Sequence, residues 1–126
     1  MVSSLSGVPI RLLVVSGHPV AAGALSAHLS RHGFDVVASV SDARAAAEAA
    51  ARLTPDIALV DADTSDGWRS IVAALEGALS HQRIAVLAAY WSQQERRDAN
   101  LRGIGATLLK RVDDRELAGQ LRLLAA

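Results

Sequence analysis

The chain of 126 residues carries thirteen basic and thirteen acidic side chains and no cysteine. That length is the length of one domain, the cancelled charge gives no overall affinity for nucleic acid or membrane surfaces, and the missing thiols exclude disulfides, thiolate metal sites and cysteine nucleophiles. Hydrophobic residues make up 51% of the chain but aromatic residues only 3%, so Ala, Leu and Val must fill the interior and let elements approach closely.

Residues 1–9 read as a flexible N-terminal segment before the first apolar run at 10–15, which is interrupted by Arg11 and is far too short to cross a bilayer. No charged region precedes that run as it would in a signal peptide, so a cytoplasmic location is expected. Short apolar runs then alternate with longer Ala-rich stretches of helical period. This alternation is the mark of βαβ units feeding a parallel sheet. The predicted strands are 10–15, 34–40, 56–60, 83–88 and 106–109, and the predicted helices are 19–31, 42–52, 65–79, 93–101 and 114–124.

Local chemistry places the helix ends. Pro19 suits a first helical turn, Gly33 the turn after a helix, and Pro55 the reset before the third strand. Ser92 with Glu95 and Asp113 with Glu116 have capping-box spacing, and Leu117, Leu121 and Leu124 form the apolar stripe of the last helix. No segment repeats and no low-complexity linker divides the chain, so a single domain over 1–126 is expected. In such a doubly wound sheet ligands bind beyond the carboxyl ends of the strands, where the strand order reverses.

The residues predicted to stand there are Ser16-Gly17-His18-Pro19, Asp61-Ala62-Asp63, Ala88-Ala89-Tyr90-Trp91 and Lys110. Asp61 ends one apolar run and Lys110 another. An acid and a lysine so placed serve as a nucleophile or ligand with its partner, or equally as solvated strand-end charges. His18 has no second His or Cys at metal spacing, which favours a loop-packing role over ligation. Gly17 to Gly23 lacks the Lys-Ser/Thr of a P-loop and there is no G-x-G-x-x-G, so nucleotide binding has little support, although the 16–20 segment could present amides to an anion. Tyr90 and Trp91 fall together in a loop, where they either anchor a partner or pack against the fourth helix. That helix carries Arg96, Arg97 and Asp98 with few apolar residues, and reads as largely exposed.

The stretch Ile10-Arg11-Leu12-Leu13-Val14-Val15 followed by His18-Pro19, then Pro55-Asp56-Ile57-Ala58-Leu59-Val60-Asp61, then Gly105-Ala106-Thr107-Leu108-Leu109-Lys110, resembles response-regulator receiver domains, those of the NarL/FixJ group of transcription regulators above all. The resemblance covers nearly the whole chain from Ile10. It implies an α/β, flavodoxin-like, five-stranded parallel sheet in the order 2-1-3-4-5 with five helices. It places Asp61 at the phosphoacceptor position and Lys110 at the phosphate-pairing position. Protein partners follow from it: a histidine kinase, a C-terminal DNA-binding domain in a longer natural chain, or a second copy in a homodimer. A stand-alone adaptor fits as well, and direct nucleic-acid or membrane binding by this domain is not expected.

Four positions depart from the family pattern. Ser16 and Gly17 replace the acidic pair that holds magnesium, Ala88 replaces the hydroxyl residue after the fourth strand, and Thr107 stands in place of the switching aromatic. The loop from Asp61 to Gly67 is short and lacks its proline. Asp61 and Lys110 already cancel as a pair, with Asp63 the only further acid close by, so neither a magnesium site nor another cofactor is expected. Without the metal, the charge developing on a transferred phosphoryl group loses its main stabiliser. The sequence therefore reads as an atypical receiver that is not an enzyme and acts through protein or ligand contacts. Its rivals are a slow phosphoacceptor using Asp61 and a small-molecule sensor binding at the strand ends.

Overall fold

The computed structural model describes residues 8–126, so most of the expected flexible segment lies outside the described residues. Five strands, β1 (Ile10–Val15), β2 (Phe34–Val40), β3 (Ile57–Asp61), β4 (Ile84–Ala88) and β5 (Ala106–Leu109), alternate with helices α1 (Pro19–Arg31), α2 (Ala43–Leu53), α3 (Trp68–Leu75), α4 (Gln93–Leu101) and α5 (Asp114–Ala125). All the strands are parallel, in the order β2-β1-β3-β4-β5, which is the architecture the sequence predicts.

The two-residue period of the strands sorts the core into two layers. On one face Leu13, Val15, Ala58, Val60, Ile84 and Val86 meet the small stripe Ala46, Ala49 and Ala50 of α2 and Trp68, Ile71, Val72 and Leu75 of α3. On the other, Leu12, Val14, Leu59, Ala85 and Leu87 meet Leu29 of α1 and Leu117, Ala118 and Leu121 of α5. Both tryptophans enter the first layer, edge to face with ring centroids 6.0 Å apart. Among the described residues no helix is long and apolar enough to cross a membrane.

Side chains acting on backbone groups set the element boundaries. Asp42 caps α2 by accepting from the Ala45 amide at 2.8 Å, and Ser92 and Asp113 do the same for α4 and α5. Strand β3 starts one residue later than expected because the Asp56 carboxylate takes the Arg11 amide at 2.9 Å and turns the chain in. Strand β4 likewise starts at Ile84, since Arg83 closes a 3-10 turn on Ser80. The third helix departs most from expectation, with the predicted 65–79 reduced to Trp68–Leu75. Gly67 at its start and Gly77 beyond its end take φ values of +78° and +87°, which lie outside the helical region. Leu79 keeps helical phase with Leu75 and is buried, although the chain there is no longer helical.

Candidate functional site

The strand order reverses between β1 and β3, and the carboxyl ends of these two strands bring Ser16 and Asp61 side by side. The Ser16 amide closes on the Val40 carbonyl at 2.9 Å, which turns its buried hydroxyl toward β3. That hydroxyl donates to Asp61 Oδ2 at 3.1 Å and accepts from the His18 amide at 3.2 Å, fixing the loop that leads into α1. Asp61 folds the following turn over itself, its Oδ1 accepting from the Asp63 amide at 2.9 Å. Lys110, carried to the same edge by β5, places Nζ 2.9 Å from Asp61 Oδ1 and 2.5 Å from Asp63 Oδ2.

Asp61, Asp63 and Lys110 thus form one cluster of two carboxylates and an ammonium. Asp61 is 8% exposed, and the Lys110 and Asp63 side chains are progressively more open at 31% and 52%. Burial by itself pushes the Asp61 carboxyl up, but the Asp63 amide, the Lys110 ammonium and the Ser16 hydroxyl together outweigh it and hold the group below its ordinary value. For Lys110, burial favours the neutral amine, and the two carboxylates reverse this and raise its pKa. The formal charges of two carboxylates and one ammonium sum to one net negative charge. Among the described residues no three His, Asp or Glu side chains converge in a way that could hold a metal ion.

No protein-family model matches the sequence, and no curated protein matches it. Solved structures do match the fold. The signal receiver domain of the response regulator NarL from Mycobacterium tuberculosis superposes with a TM-score of 0.82 at 23% identity, over 93% of this chain and 96% of that one. A LuxR-family two-component response regulator from Aurantimonas sp. SI85-9A1 gives 0.81 at 24% identity, over 94% and 86%. CheY from Borrelia burgdorferi, in its complex with CheX, BeF3 and magnesium, gives 0.81 at 15% identity, over 98% and 95%. The chain has the receiver fold. Its site lies at the strand ends where that fold reverses its order, and Asp61, Asp63, Lys110, Ser16 and His18 are all gathered there.

The remaining predicted positions of the receiver separate. Gly17 passes close over Thr64, whose Cα stands 3.5 Å from where a Gly17 Cβ would lie, and its φ is outside the left-handed region. Ala88 is buried in the same core layer as Trp91 and, with only a methyl side chain, offers Asp61 no hydroxyl. Thr107 faces away, toward a groove it shares with Arg96, Arg111 and Glu116. Tyr90 and Trp91, read as a pair in the sequence, part company: Tyr90 is 74% exposed, whereas Trp91 is buried and donates from Nε1 to the Leu108 carbonyl at 2.9 Å.

Two features carried no readable sequence signal. Buried Thr64 floors the loop under Gly17, and nothing in its neighbours marks it. Asp98 of α4 accepts from Arg69 of α3 at 2.5 Å and from Arg102 at 3.1 Å, and both guanidiniums lie over the Trp68 ring at 4.7 and 5.9 Å. The hydrogen bond from Arg69 is the main reason the Asp98 carboxyl is held low. The Arg102 contact is a local i,i+4 pair that the sequence reading did not single out, and the link to Arg69 crosses between helices and depends on the fold.

Proposed function

We propose that this receiver-fold domain is an atypical signalling module, working through protein contacts and not through magnesium-dependent phosphorylation of Asp61. The observation that carries the reading is the closed cluster at the sheet edge. Asp61 accepts from Ser16, Asp63 and Lys110 at once, and the side chain at the first acid position is a hydroxyl that donates to it. Magnesium requires several hard oxygens in near-octahedral array, normally including one or two free carboxylates. These residues do not fit it, because Gly17 brings no ligand and the Asp63 carboxylate is drawn onto Lys110. The missing hydroxyl at Ala88 weakens phosphoryl binding further.

Incubation with magnesium and acetyl phosphate, read by intact mass, is expected to leave the protein unmodified. A stoichiometric phosphate adduct that disappears in Asp61→Asn would overturn the reading and favour the conventional phosphoacceptor. Partners proposed on the same basis are a histidine kinase, an effector domain such as a DNA-binding module, and a second copy of the chain. The second copy would dock on the face where α1 and α5 lie together, tied by His28 to Asp114 at 3.0 Å. Sedimentation at high concentration should then show reversible dimer formation.

A further inference from the structure

Behind the acid–lysine cluster a cavity of about 200 Å³ runs down between α1 and the sheet. Its walls are Val14, Leu59 and Leu87 from three adjacent strands and Ala21 and Leu25 from α1, while Ser16, His18, Asp61 and Lys110 ring one end. The small side chain of Ala21 in the first turn of α1 leaves this room beside the strand ends, whose own side chains stay almost fully buried. An apolar cavity of about 150 Å³ has room for benzene, and this cleft, open to solvent on one side, has room for a single ring with a short polar substituent. We propose that it is a binding site for a neutral, largely apolar small molecule with one hydrogen-bond-accepting head, such as an aromatic alcohol.

The charges at the polar end select the head group. Lys110 has three N–H donors and spends two on Asp61 and Asp63. The His18 imidazole has no hydrogen-bond partner among the described residues. One ammonium N–H and one ring nitrogen are thus free to meet a hydroxyl or carbonyl oxygen. The cluster's net negative charge opposes a carboxylate or phosphate, whose desolvation the apolar walls would not repay. The inference rests on the cavity and its polar rim, not on the loss of phosphorylation, so the mass experiment and the one below fail independently.

Benzyl alcohol and phenylacetate are the probes, titrated into the ¹⁵N-labelled protein and followed by amide shifts. Benzyl alcohol should move Ser16, Ala21, Leu25 and Leu87, and phenylacetate should bind about tenfold more weakly or not at all. Ala21 is exposed at the rim, so Ala21→Trp should leave the melting curve unchanged while blocking entry and abolishing the shifts. The same change at exposed Ala27, outside the cavity lining, should leave binding intact. Absence of shifts at the solubility limit, shifts that persist in Ala21→Trp, or equal binding of phenylacetate would each overturn the proposal.

Discussion

Asp61 shows how much of a residue's behaviour its neighbours decide. In Asp61→Asn the side-chain oxygen still accepts from the Asp63 amide and the new amide can donate to Ser16, so the cost should be about 1 kcal/mol in urea unfolding. Asp61→Ala instead strips a partner from a buried hydroxyl and a backbone N–H and should cost about 2–3 kcal/mol. Because the Asp61 carboxyl is held below its ordinary value of 3.8, the folded state binds fewer protons than the unfolded state in that window. Stability from this group is therefore complete above 3.8 and is lost as pH falls through the lower folded value, and Asp61→Asn should flatten the acid limb of the stability curve. The double change Ser16→Asp with Gly17→Asp tests the missing metal site. Gly17 meets Thr64 only at ordinary contact distance and has no left-handed φ, so the backbone accepts a side chain there. Without metal the crowded carboxylates should lower the melting temperature, and magnesium should restore it. Since Ser16 already meets Asp61, a double variant blind to magnesium would show that a carboxylate at position 17, whose Cβ points toward Thr64, does not reach the cluster.

Elements are held by their ends and by a few close approaches. Gly105, just before β5, is the tightest: a Cβ there would lie 2.2 Å from the Gln82 carbonyl oxygen and 2.8 Å from Leu124. The first neighbour is backbone and cannot swing aside. Gly105→Ala should therefore destabilise by about 1–3 kcal/mol, measured by chemical unfolding, although the position looks like an ordinary surface turn. The third helix shows the opposite relation between pattern and structure. Its apolar phase extends to Leu79, but glycines with positive φ bound a shorter helix, because periodicity reports which side chains face the core and not whether the backbone between them is helical.

At the scale of the molecule, the two core layers share one sheet. Both tryptophans lie in the layer under α3, whereas the far-ultraviolet signal comes from helices on both faces. Fluorescence and circular dichroism should follow one urea transition, as in other small single domains, and separated midpoints would mean that the faces unfold independently. The alternation of strands and helices, the strand-end positions of Asp61 and Lys110, and the helix caps at Ser92 and Asp113 were all legible in the sequence, because local patterning and short-range capping chemistry dictate them. That Asp61 and Lys110 could pair was legible from their strand-end positions, and the resemblance to receivers gave the pair its place in the sheet. Tertiary structure alone decided that Asp63 joins Lys110, that the Ser16 hydroxyl closes on Asp61, that Trp91 turns inward while Tyr90 stays out, and that Ala21 leaves a cavity under the cluster. Each of these depends on side chains from segments far apart in the chain, whose distances are set by how helices settle on a twisted sheet and not by any spacing along it.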